Sequence, residues 1–105
     1  MKKIALILTM FSVPCFAGTN LATQKITEIA NGWSGSNLYI NTDKQLTAEN
    51  CSADPRIVLE ESHPQYELLA SMLISAIHAK SDVRLYVDGC GVNNFMKLML
   101  VKIKN

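Results

Sequence analysis

Residues 62–90, SHPQYELLASMLISAIHAKSDVRLYVDGC, carry the reading that decides the fold. Ser62 has the character of an N-cap, and Gln65 three residues on completes a capping-box pattern. Pro64 is tolerated in a first helical turn because its missing N–H has no partner there. A helix to about residue 80 follows. At roughly 100° per residue, Glu67, Ser71, Ser75 and His78 gather on one narrow side. Apolar residues cover well over half the circle, wider than the roughly 100° stripe an ordinary amphipathic helix needs. Leu68, Met72 and Ala79 lie at one margin of that arc and Ile74 at the other, which makes them candidate contacts for a second copy. Residues 83–88 (VRLYVD) then alternate cleanly, with Val83, Leu85 and Val87 on one face, and read as a strand. Gly89, Cys90 and Gly91 turn the chain and deliver a cysteine.

Upstream, residues 25–30 (KITEIA) alternate loosely and predict a first strand, with Ile26, Glu28 and Ala30 on one face. Residues 31–37 (NGWSGSN) are dense in turn formers and lead into a second strand over 38–42 (LYINT), which together predict a hairpin. Residues 43–55 form a polar loop holding Cys51, and 56–60 (RIVLE) read as a short third strand. Downstream, 95–103 (FMKLMLVKI) is apolar on both faces for much of its length, as suits a central or interface strand. Residues 18–23 read as a loose N-terminal stretch. The resulting order, β-β-β-α-β-β, predicts a mainly β, α+β domain over 18–105. Its connection order is that of a five-stranded OB-like barrel with the helix between the third and fourth strands. A flat α+β sandwich gives the same string, and the barrel is the preferred expectation.

The start of the chain sets the compartment. Lys2 and Lys3, an apolar run over 4–13 and the small-x-small site Cys15-Phe16-Ala17 predict a signal peptide, residues 1–17, cleaved after Ala17. The run is shorter than the about 20 residues that span a bilayer. Lipidation at Cys15 is the poorer reading, because Ser12-Val13-Pro14 is a weak lead-in. The protein is therefore expected in the periplasm or outside the cell. Loss of Lys2 and Lys3 lowers the formal net charge of +1 by two, and no basic block argues for nucleic acid or an anionic membrane surface. Cys51 and Cys90 then remain as an even pair in an exported chain, so one disulfide is expected. Closing a loop of about 40 residues is worth roughly 4 kcal/mol in the chain-entropy picture.

Taken together, a signal peptide, Trp33 near the first hairpin, Cys51 before the third strand, the Leu- and Ala-rich helix over 66–80, the run Val83-Arg84-Leu85-Tyr86-Val87-Asp88-Gly89-Cys90 and a last apolar strand resemble a group of small exported proteins of Gram-negative bacteria. The pattern also resembles, more distantly, the OB-fold B subunits of AB-type toxins. That resemblance implies ring assembly and recognition of cell-surface glycans, although no glycan-binding residue of those subunits carries over onto a position here.

Chemistry is sparse. His63 and His78 sit about four turns apart on one helix, too far to share a metal site, and the two cysteines lack zinc spacing. No nucleophile motif, zinc-protease motif or phosphate loop is present, so no catalytic residue, metal ligand or cofactor is assigned. The functional candidate is the loop around Trp33, whose indole among Ser34, Asn37 and the strand residue Tyr39 has the make-up of a ligand-stacking patch. The structural alternative is that Trp33 plugs the end of the barrel. Tyr39 and Tyr86 either extend the patch or pack across strands. The expectation is a non-enzymatic exported binding or assembly module, self-associating through the helix and last strand, with a glycan or protein partner. The alternatives are a glycan-binding toxin-like B subunit and a periplasmic enzyme inhibitor.

Overall fold

The computed structural model describes residues 18–32, 35–53 and 55–104. Residues 1–17, read above as a signal peptide, lie outside the described residues, as do Trp33 and Ser34. Among the described residues, six strands, one α-helix and one short 3-10 turn follow in order: β1 (Thr19–Asn20), β2 (Ile26–Asn31), β3 (Leu38–Thr42), β4 (Ile57–Leu59), α1 (Tyr66–Ala79), β5 (Asp82–Cys90), the turn Val92–Asn94, and β6 (Met96–Lys104). The mixed α+β, mainly β character is as the sequence predicts. The closed five-strand barrel is not. The sheet is open and has the order β1-β5-β6-β4-β3-β2.

The reason lies in residues 18–25. The stretch read as a loose N-terminus forms β1, which pairs with β5 (Thr19 opposite Val87, Asn20 opposite Tyr86). Leu21 beyond it is buried at 4% exposure. The chain then crosses to the far side of the sheet, where β2 pairs with β3. One isolated bridge, Gln24 to Val83, links the two pairings. What would be a single closing strand is thus split between the two ends of the sheet.

The sheet consists of two halves. One is β1-β5-β6 and the other β4-β3-β2, both antiparallel within themselves. They meet at one parallel seam of two residue pairs, Ile57 with Met96 and Val58 with Lys97, extended by the Met96 N–H donating to the Arg56 carbonyl at 3.0 Å. β4 reads apolar at all three positions because both of its faces are covered, and Ile57, Val58 and Leu59 are each at most 1% exposed. α1 packs on one face against β2, β4 and β6, and its Leu69, Leu73 and Ala76 join Ile40, Leu85 and Leu98 in one buried core.

Local departures have local causes. A bulge between Ile26 and Glu28 shifts the register of β2, so Ile26 and Ile29, not Ile26 and Glu28, face the core. This accounts for the loose alternation of the sequence there. The helix starts at Tyr66 with Gln65 at its N-cap position and no side-chain cap, so Ser62 is not the cap. His63 precedes Pro64, and a residue before proline is driven out of the helical region. The chain makes two successive turns instead, with His63 N–H donating to the Glu60 carbonyl and Tyr66 N–H to that of His63, each at 3.0 Å. Lys80 closes the helix at φ 56°.

The Cys51–Cys90 disulfide is formed. It joins the β3–β4 loop to the end of β5. Glu49 reinforces the same place, its carboxylate accepting from the Thr19 hydroxyl at 2.7 Å and from the Gly89 N–H at 3.0 Å.

Candidate functional site

The face of β2 and β3 turned away from the helix carries a groove of about 650 Å³. Alternation along the strands supplies its floor. In β3, Ile40 points into the core at 1% exposure, so Tyr39 and Asn41 point out. Cross-strand register sets Ala30 opposite Tyr39 and Glu28 opposite Asn41. The Asn41 side-chain amide donates to the Glu28 carboxylate at 2.6 Å.

The opposite wall comes from the seam itself and from the strands across it. Arg56, just before β4, with Asn93 of the 3-10 turn and Phe95, just before β6, complete the lining. The rings of Tyr39 and Phe95 lie 4.9 Å apart at 60°, a tilted packing that suits aromatic quadrupoles. The Arg56 guanidinium stands 5.8 Å from the Phe95 centroid, within cation–π range.

Two glycines permit this arrangement. A Cβ on Gly32 would lie 2.9 Å from the Tyr39 ring, so the ring lies over bare backbone there. A Cβ on Gly91 would come within 2.6 Å of the Glu60 carboxylate. That carboxylate accepts from the Val92 N–H at 2.9 Å and pairs with Lys97 at 3.7 Å. Glu60 thereby fixes the turn that presents Asn93 and Phe95.

Of the residues singled out from sequence, Tyr39 is in the groove. Asn37 is not: its side-chain oxygen accepts from the Glu61 N–H at 2.8 Å, bracing the approach to the helix. Tyr86 lies on the other half of the sheet, over Gly18. On the helix, Leu68 and Ile74 are exposed at 54% and 56%. Ala79 is exposed too, and Met72 is half-buried against the core. His78 is exposed. His63 is engaged: its Nδ1 accepts from the Gln65 N–H at 2.9 Å, so the ring proton sits on Nε2 and is donated to the Met99 carbonyl at 3.0 Å.

Sequence reasoning missed Glu28, Asn41, Arg56, Asn93 and Phe95. The alternation in β3 put Asn41 beside Tyr39 in principle. Nothing local pointed to Arg56 and Phe95, which meet only through the parallel seam.

The lining combines an aromatic wall, one cation, one carboxylate and two amides. Such a set is chemically suited to stacking and planar hydrogen bonds. No group of three or more His, Cys, Asp or Glu side chains suited to a metal occurs among the described residues, and no helix among them is long and apolar enough to cross a membrane. No family model matches the chain, and no curated protein matches it.

Proposed function

We propose that this protein is an exported, non-enzymatic binding module that assembles with copies of itself. The observation that carries the proposal is the exposure of Leu68 and Ile74 at 54% and 56% on opposite margins of the outward helix face. Two different apolar margins on one helix suit a head-to-tail contact, in which one copy's Leu68 side meets the next copy's Ile74 side. Such a contact closes into a ring when the rotation allows.

Magnitude shows that the helix alone does not suffice. Each side chain exposes on the order of 100 Å², so covering the pair stabilises by about 5 kcal/mol at most. Association costs about 4–15 kcal/mol. The sheet offers the remainder. β2 ends the strand order, so one of its edges is unpaired among the described residues. β4 covers only Met96 and Lys97 on its side of the nine-residue β6, and no strand among the described residues pairs with the rest of that side. Two unlike free edges on one copy again favour head-to-tail addition. The disulfide supports an oxidising compartment.

Sedimentation velocity on residues 18–105, purified oxidised, tests assembly. Discrete oligomers are expected at micromolar concentration. A sharp monomer at about 100 μM, where even a Kd of 100 μM (near −5.5 kcal/mol) would show, overturns the proposal.

The groove favours a second reading, recognition of a glycan by the outer face. Aromatic rings take the C–H face of a sugar, and Arg56, Asn41, Asn93 and Glu28 suit its hydroxyls in pairs. A glycan array with Tyr39→Ala as control tests it, and silence across the array removes it.

A further inference from the structure

The groove crosses the weakest line in the fold. Glu28, Tyr39 and Asn41 belong to the β4-β3-β2 half, and Asn93 and Phe95 to the β5-β6 side. Arg56 stands on the line between them. Between their named strands the two halves share two parallel residue pairs, with the isolated Gln24–Val83 bridge elsewhere, against the long antiparallel pairing of β5 with β6, which two register shifts interrupt.

The disulfide closes this line at the groove end. Cys51 precedes Arg56 by five residues, and Cys90 precedes Phe95 by the same distance. The two arms are joined by the Cys51–Cys90 bond at one end and by the Met96 N–H to Arg56 carbonyl bond at the other. Between them runs one further bond, Ala53 N–H to the Asn94 carbonyl at 3.1 Å. Three groove residues, Arg56, Asn93 and Phe95, ride on this ring. Cys90 is exposed while Cys51 is buried, so the bond is open to attack from solvent at one sulfur.

Resting on the groove as the binding site, we propose that the Cys51–Cys90 disulfide is a redox latch on that site: oxidised, it holds the two half-sheets together at the groove, and reduced, it frees the wall that carries Arg56, Asn93 and Phe95 while the helix-packed core stays folded. The reductant is a dithiol. Its thiolate attacks Cys90 Sγ, and Cys51 Sγ leaves as a thiolate and takes a proton. The reductant's second thiol then attacks the mixed disulfide, closing the reductant into a ring disulfide and releasing Cys90 as a thiol. Two electrons and two protons pass to the protein.

The core has the means to survive this. Leu69, Leu73 and Ala76 share one buried cluster with residues of both half-sheets, Cys51 among them. α1 contacts β2, β4 and β6, so the helix spans the seam without the disulfide, while Glu49 ties its turn to Thr19 and Gly89.

Amide hydrogen exchange on ¹⁵N-labelled protein tests the latch, with and without dithiothreitol and in the Cys51→Ala/Cys90→Ala double variant. The Ala53 and Met96 amides are expected to exchange about tenfold or more faster once the bond is open. The Val83 and Leu69 amides, bonded to Gln24 and Gln65 away from the seam, should change less than about twofold. The nuclear Overhauser contact between the Tyr39 and Phe95 rings should disappear. Unchanged Ala53 and Met96 amides overturn the proposal, and so does simultaneous loss of protection at all four, which would make the bond a staple of the whole fold. These readouts need no ligand. A groove that binds nothing when oxidised would fail separately, on the glycan array.

Discussion

Assembly through the two helix margins makes a prediction that separates it from other modes of association. Leu68 and Ile74 are about half exposed, and their positions on α1 place them some 120° apart around the helix. In a head-to-tail contact, each junction takes Leu68 from one copy and Ile74 from the next. Leu68→Ser or Ile74→Ser removes on the order of 100 Å² of covered apolar surface, about 2 kcal/mol, which weakens each junction about 30-fold. Each variant alone is therefore expected to sediment as a monomer at a concentration where the parent assembles. An equimolar mixture behaves differently. The copy carrying Ile74→Ser keeps its Leu68 side, and the copy carrying Leu68→Ser keeps its Ile74 side, so one intact junction forms per mixed pair. Sedimentation velocity should then show dimers in the mixture and in neither component. A two-fold contact in which the same face meets itself gives no such complementation. A mixture no larger than its components would sink the head-to-tail arrangement, whatever the parent does.

Three further outcomes follow from side chains already described. The Glu49 carboxyl is held below its ordinary pKa of 4.5, first by the Thr19 hydroxyl and then by the Gly89 N–H. Asp82 is held below its ordinary 3.8 by Lys25, through the hydrogen bond first and the charge second. A depressed carboxyl contributes stability that is complete above its unfolded pKa and is lost as pH falls through the folded one. Urea midpoints should thus be flat down to about pH 4.5 and fall below it. Glu49→Gln should make that fall shallower, and an identical slope in the variant counts against the Glu49 tie. Gly91→Ala drives a methyl to 2.6 Å from the Glu60 carboxylate and 3.2 Å from Val58, an overpacking that should cost about 1–3 kcal/mol in urea unfolding. A change below about 0.5 kcal/mol would mean that the Val92 turn yields freely. Long-range ¹H–¹⁵N correlation should find His63 as the Nε2–H tautomer, because Nδ1 accepts from Gln65. An Nδ1–H ring would contradict the bridge to Met99.

Period and composition made much of this fold legible. The alternation of Val83, Leu85 and Val87 mapped onto three residues at 0% exposure. The even cysteine pair mapped onto a bond, and the excess apolar arc of the helix mapped onto exposed Leu68 and Ile74. Three features escaped for physical reasons. A bulge inverts the facing of a strand without any sequence mark beyond a blurred pattern, as between Ile26 and Glu28. A two-residue strand such as β1 has no period to read, and only the buried Leu21 and Gln24 beyond it record that the segment is held. The capping-box pattern at Ser62 and Gln65 was a real local preference overruled by a second one, the exclusion of His63 from helix by Pro64.

The groove was the least legible feature, and its position explains why. Tyr39 and Phe95 are 56 residues apart in the chain and come within 4.9 Å only because β4 and β6 run parallel. Antiparallel neighbours are often joined by a short turn that local sequence reveals, whereas parallel neighbours need a long crossover. Here the crossover is α1 followed by β5, and it brings the turn after Cys90 beside the residue before β4. A site built at such a seam draws each wall from a separate stretch of sequence and depends on whatever holds the seam shut. In this chain two residue pairs, a salt-bridged Glu60 and one disulfide lie on that seam, and α1 bridges it on the core face through its contacts with β2, β4 and β6. The proposed latch therefore requires that α1 hold the half-sheets together on the core face once the disulfide on the groove face opens.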